Sequence, residues 1–319
     1  MRSLSMIASA LMVASLARSA RADDAPMGAP VPLSPDATSV EKTDENHRWE
    51  SLAGLAALYG GLTTWAYFAW YHDVPDLPEF SVGGDGYFGV DTYAGGADKL
   101  GHAWANLALS RGSTEILRWG GWGRGAASAI GSGLSWAFFL FVEIKDGFYY
   151  QLSPGDLIGN TAGAALSAAM VNWPALDDAI DFRVEYWPSP EYRHRVSSDG
   201  DVNVAEDYSG QTYLLAFHLG ALRPLREQRW GRLSRYVDVA VGFETRNYKP
   251  DPVGPHPDER QKLFFAVALN LQGVIDDALE GRSGGAARIG RKIGHGVFEL
   301  LSPPFTALPV VDASRAQIR

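Results

Sequence analysis

Six polar residues in a largely apolar stretch have the types and spacing for chemistry: Asp98, His102, Glu143, Asp146, Asp156 and Asn160. Asp98 and His102 are four residues apart, as are Asp156 and Asn160, and Glu143 and Asp146 are three apart. Each pair therefore shares one face of a helix. One imidazole among several carboxylates suits a hard or borderline divalent ion, and water on such an ion can attack an ester or phosphodiester. On that reading His102, Glu143 and Asp146 are the candidate catalytic groups, and His102, Glu143 and Asp156 the candidate ligands. The same residues, with Lys99 or Lys145 balancing charge, equally form a buried hydrogen-bonded network that fixes helix register without catalysis. No HExxH motif is present and Ser153 lacks a nucleophile-elbow context, so the motifs leave both readings open.

The apolar segments must carry these pairs to one place. Leu100–Ser110 follows the first pair, Gly125–Val142 precedes the second and Leu157–Leu176 follows the third. Running up, down and up, they bring all three pairs to one end of a bundle. A charged side chain in hydrocarbon costs ~2.5–3.5 kcal/mol on insertion scales, so such residues pair or line a cavity. Gly159 and Gly163 form a GxxxG pair, and Gly125, Ala129 and Gly133 repeat small residues every four, a spacing that lets helix backbones approach. Ser153 is placed to cap the last helix, with Asp156 in capping-box position, which offers Asp156 a purely local role.

Upstream, the uncharged run Ser51–Tyr71 is long enough to span a ~30 Å hydrocarbon core at ~1.5 Å per residue. It ends in Trp65, Tyr67, Trp70 and Tyr71, as interfacial aromatics do. A buried helix of a globular bundle is the alternative. An acidic connection without Lys or Arg, 72–97, leads to the first polar pair and overhangs the same end. Arg111, Arg118 and Arg124 mark the opposite side of the bundle. The positive-inside rule and a signal peptide followed by four spans give opposite orientations. The N-terminus itself, Arg2 followed by Leu4–Leu16 and Ala20-Arg21-Ala22, reads as a secretory signal peptide. Residues 23–48, rich in Pro, Ala, Asp and Glu, read as a disordered linker.

After Asp177 the periodicity changes from helical to twofold. Tyr213, Leu215, Phe217 and Leu219 share one face, as do Val237, Val239, Val241 and Phe243, and Leu263, Phe265, Val267, Leu269 and Leu271. The opposite faces are small or polar, among them Ala216, His218, Asp238, Ala240, Ala266, Ala268 and Asn270. This is the pattern of antiparallel strands with one buried face, expected to be the large apolar one. Three strands cannot close a barrel, so they are expected to pack on the helices or a partner. Arg223, Arg226, Arg229, Arg232 and Arg235 recur every third residue, either as a surface for anionic lipid or as a solvated connection. Ala286–Leu301 reads as a basic amphipathic helix that lies in a membrane interface or caps the sheet. His295 is isolated there and exposed by pattern, so it is not a ligand candidate.

The net charge of −9 argues against nucleic acid as a partner, and the absence of Cys excludes disulfides and thiolate metal sites. The expected fold is α+β: a signal peptide (1–22), a linker (23–48) and a membrane-associated four-helix bundle (49–182). A small antiparallel sheet (183–281) and a C-terminal amphipathic helix and tail (282–319) follow. The expected partners are membrane lipid and another envelope protein, and the only cofactor in view is a divalent metal.

The segments GADKLGH (96–102), EIKDG (143–147) and SPGDLIGNTAG (153–163) resemble the bacterial domain of unknown function 2279, the YfiM-like family. Residues 207–213 look like that family's later part, so the likeness runs from Ala97 to Leu271. The spaced D-K-x-x-H, E and D-x-x-x-N pattern is also similar to that of VanZ-like membrane proteins. The resemblance implies a cell-envelope protein and lends it no reaction. Many members look like lipoproteins, and this chain has no Cys for that mode of anchoring.

Overall fold

The computed structural model describes residues 47–77, 79–84, 86–200, 203–228, 231–250, 258–282 and 284–313. The expected signal peptide and all but the end of the linker lie outside these residues. The chain is α+β. Its first half is four helices: α1 (Arg48–Ala66, extended by a π-helical turn Tyr67–Tyr71), α2 (Ala97–Trp119), α3 (Arg124–Tyr149) and α4 (Pro154–Asn172). Local chemistry sets their ends. Gly121 takes a φ of 84° just past α2, a left-handed turn that suits glycine. Ser153 caps α4, accepting from the Asp156 amide at 3.2 Å, with Pro154 in the first turn where no amide is needed.

Small side chains bring the helices together. A Cβ on Gly159 would stand 2.6 Å from the Lys99 carbonyl oxygen, and one on Gly163 would collide with the Ala103 backbone, so α2 and α4 touch main chain to main chain. The other small-residue series does not serve this purpose. A Cβ on Gly125 or Gly133 would meet nothing within 4 Å, because these residues face away from the neighbouring helices. The seam between α2 and α3 is polar: Ser135 Oγ donates to Asn106 Oδ1 at 2.8 Å, and both residues are fully buried. Among the described residues one helix, α3, is long and apolar enough to cross a membrane. The expected span at Ser51–Tyr71 does not reach that standard, and its glycines and threonines make it less apolar than its lack of charge suggested.

The second half is a six-stranded sheet in the order β5-β1-β2-β3-β4-β6. Its strands are β1 (Ile180–Tyr186), β2 (Gln211–His218), β3 (Val237–Arg246), β4 (Arg260–Leu269), β5 (Leu301–Ser302) and β6 (Ala307–Asp312). β1 to β4 are consecutive antiparallel neighbours. The two outer strands are successive pieces of one segment. β5 pairs parallel with β1 and, after residues 303–306, β6 pairs antiparallel with β4. The Glu185 carboxylate of β1 accepts from the Thr306 and Ala307 amides, so the link between the edges is fastened across the gap. The sheet thus curls until its edges are joined. The sequence-based limits at 182/183 and 281/282 cut through it.

Closure reverses the expected polarity of the sheet. The face with the small residues points inward: Ala216, Ala240, Ala266, Ala268 and Ala307, with Leu214 and Phe264, form a core of their own. The inside of so narrow a closed sheet has room for little else. Of the large apolar residues only those over the helices are covered. Tyr213, Phe182 and Val184 pack on Ala97, Leu107 and Met170. The remainder of that face looks outward, with Phe265 47% and Val267 42% exposed. Leu219 and Leu271 leave the strands and begin helical turns. The C-terminal amphipathic helix runs Gly285–Phe298, packs on the helix Leu271–Ala278, and leads into β5.

Candidate functional site

The cluster forms where α2, α3 and α4 meet below the acidic connection. Ala94, Gly95 and Gly96 all have positive φ (49°, 61° and 81°) and turn the chain sharply into α2. A Cβ on Gly96 would stand 2.9 Å from Phe88 Cα, so only glycine permits this crossing. The turn sets Asp98 and Lys99 in the first turn of α2 and His102 one turn further on. Glu143 comes from the last two turns of α3. Asp156 and Asn160 come from the first two turns of α4.

Five of the six expected residues come together here. His102 Nδ1 lies 3.2 Å from Asn160 Oδ1 and 3.6 Å from Glu143 Oε1, while Nε2 lies 3.8 Å from Asp156 Oδ2. Lys99 Nζ reaches Asp98 Oδ2 at 2.7 Å and Asp156 Oδ1 at 3.0 Å. Lys99 is thus a full member of the site, although sequence reasoning gave it only an optional balancing role. A Cβ on Gly155 would stand 2.6 Å from Lys99 Cε, so that glycine makes room for the lysine stem. Asp98 is joined to the cluster through Lys99. Lys145 lies over the ring of Tyr149, 4.3 Å from its centroid, and serves no carboxylate of the cluster among the contacts described.

Asp156 occupies the capping-box position but turns its carboxylate to Lys99. The Ser153 amide is taken instead by Glu143 Oε2 from α3, at 3.2 Å. The cap of α4 is therefore completed by a neighbouring helix, which ties the loop between α3 and α4 to the cluster.

Asp146 stands apart. Its Oδ1 accepts from the Tyr71 hydroxyl at 2.7 Å, so it anchors the end of the first helix and does not face His102. Burial, reinforced by Asp156, pushes its carboxyl up to about 6. Glu143 is displaced further. Burial, with the nearby Asp156 carboxylate, raises it to about 9, so it keeps its proton at neutral pH. Glu143 and Asn160 are each 1% exposed. Glu143 Oε1 and Asn160 Nδ2 have no hydrogen-bond partner among the described residues.

The acidic connection roofs this end. The Leu77 amide donates to the Phe148 carbonyl at 2.7 Å, Ser81 to Gly147 at 2.8 Å and Gly83 to Leu152 at 3.0 Å. Phe80 packs over Gly147 and against Phe148. The loop is thus fastened along the start of the α3–α4 connection.

His102, Glu143 and Asp156 each offer one ligand atom, and these atoms lie within 4.8 Å of one another. That donor set would accept a divalent ion such as Mn, Fe or Zn. Sequence reasoning did not identify a second charged cluster, inside the closed sheet. Arg183 bridges Asp181 and Asp238 (2.8 Å to the latter), and His218 spans the same two carboxylates at 3.0 and 2.8 Å. Burial would lower the His218 imidazole, but the hydrogen bonds its ring donates to the Asp181 and Asp238 carboxylates hold it at about 9. The available signal was the alternation Asp181, Arg183, Glu185 on a single strand face.

No curated protein and no solved structure matches the chain. Residues 84–172, which include the helices bearing the cluster, match the model described as "Predicted periplasmic lipoprotein (DUF2279)", and the segment Asp207–Tyr213 lies outside that match.

Proposed function

We propose that the chain serves the cell envelope as a membrane-associated scaffold or docking module, with the polar cluster as its internal brace. The observation that carries this reading is how the imidazole is shared. His102 of α2 hydrogen-bonds Asn160 of α4 through Nδ1 and stands within ion-pair distance of Glu143 of α3 and Asp156 of α4, so one imidazole lies between side chains of both other helices. With Glu143 protonated, Lys99 faces the two remaining carboxylates, Asp98 and Asp156. Such a network fixes how three helices meet. Membrane association is supported by α3, whose Trp136, Phe141, Ile144 and Phe148 are exposed.

A second reading places a divalent ion between His102, Glu143 and Asp156 and uses it for hydrolysis of an envelope lipid or glycan. The partnerless, buried Glu143 Oε1 favours it. Elemental analysis of the purified protein, with His102→Ala as control, separates the two. The brace predicts no stoichiometric metal, and predicts that His102→Ala lowers the melting temperature. An equimolar metal lost in His102→Ala, with stability kept and envelope integrity impaired, would replace the first reading with the second.

A further inference from the structure

We propose that the outward face of β2, β3, β4 and β6 is a lipid-docking surface, separate from the helical bundle. The strand register lines its residues into rows. Phe217 opposes Val239, Val239 opposes Val267, and Val267 opposes Leu308. The next row holds Val241, Phe265 and Val311. The face extends from Leu263 to Leu269 along β4, about 20 Å at ~3.3 Å per residue.

Two observations select lipid over a protein partner. The first is the chemistry of the rows. Every side chain in them is a hydrocarbon, with no hydrogen-bonding group. A protein interface carries about one hydrogen bond per 100–200 Å², whereas hydrocarbon asks for none. The charged cluster Asp181, Arg183, His218 and Asp238 lies inside the closed sheet, so it does not interrupt the apolar outer rows.

The second is the charge at the ends of the strands. The connections at the end marked by His218, Val237 and Leu269 are segments 219–236 and 270–300. Together these hold nine Lys or Arg against five acids, a net positive margin. The connections at the other end, 187–210 and 247–259, hold eight acids and three bases. A basic margin beside an apolar face is complementary to anionic headgroups beside hydrocarbon. The basic helix Gly285–Phe298 lies at that margin, with Ile289 and Ile293 exposed.

The chain has no cysteine, so single labels can be placed on the full-length protein. Val267→Cys, Phe141→Cys on α3 and Ser197→Cys on the exposed helix Pro190–Ser198 would each carry an environment-sensitive fluorophore. Each is mixed with vesicles of phosphatidylcholine alone or with 30% phosphatidylglycerol. The expected result is a blue shift and quenching by spin-labelled lipid at position 267, at least tenfold stronger binding with the anionic vesicles, and no change at position 197. The label at 141 reports separately on the bundle, so failure of either membrane surface is visible without the other. An unshifted label at 267 with both vesicles would overturn the proposal. So would a shift at 267 that needs no lipid and follows dimerisation in light scattering, because the face would then join two copies.

Discussion

His102 Nδ1 stands 3.6 Å from Glu143 Oε1, within reach of an ion pair and beyond a normal hydrogen bond. That separation fits a neutral carboxylic acid beside an imidazole whose nearer partner is Asn160, at 3.2 Å. Burial accounts for the neutrality. Ionising Glu143 beside Asp156 would place two negative charges in a pocket served mainly by Lys99, so the proton stays on.

Gly163 of α4 should be intolerant of a side chain where Gly133 of α3 is not. Gly163→Ala drives a methyl into the Ala103 backbone and is expected to cost about 1–3 kcal/mol. Gly133→Ala meets nothing and should be neutral or stabilising by up to ~1 kcal/mol through helix propensity. Chemical denaturation of the two variants checks the contrast.

Inside the sheet, Arg183→Met leaves Asp181 and Asp238 with His218 as their one remaining shared cation. Breaking a buried pair by removing one partner costs about 3–5 kcal/mol. The expected outcome is a loss of that size in the unfolding free energy.

His218 gives the sheet a pH dependence of known sign. Its folded value of about 9 lies above its ordinary 6.5, so the folded state binds the proton more tightly. The stabilisation is complete below about 6.5 and is lost as pH rises through about 9. His218→Gln should therefore be destabilised most at pH 6, with the gap to the parent protein narrowing by pH 9.5 in thermal melts.

The four helices and the meeting of Asp98, His102, Glu143, Asp156 and Asn160 could be read from spacing, because connectivity and helical period fix which pairs share an end and a face. Spacing grouped Asp146 with Glu143 but could not show that Tyr71 would claim it, since that contact spans 75 residues. The strands held the deeper ambiguity. Twofold alternation tells which residues share a face, as with Phe217, Val239 and Val267, but not which face is inside. That choice depends on closure, and closure depends on β1 and on a strand from the C-terminal segment. Ile180–Tyr186 alternates Asp181, Arg183 and Glu185 with apolar residues, so by ordinary patterning it would be given a wet face. Those charges are instead satisfied inside the sheet, by His218 and Asp238 and by the amides of Thr306 and Ala307.

The most direct test of the internal brace is the thermal stability of Glu143→Gln as a function of pH. An acid held at about 9 in the fold and near 4.5 when unfolded makes stability fall as pH rises between those values, because only the folded state keeps the proton. Gln keeps the shape and neutrality of the protonated acid. A neutral Glu143 thus predicts a variant at least as stable as the parent at pH 8, with a flatter pH profile. A variant less stable at pH 8, by a margin that grows with pH, would mean that Glu143 works as a carboxylate, paired with His102 or bound to a metal.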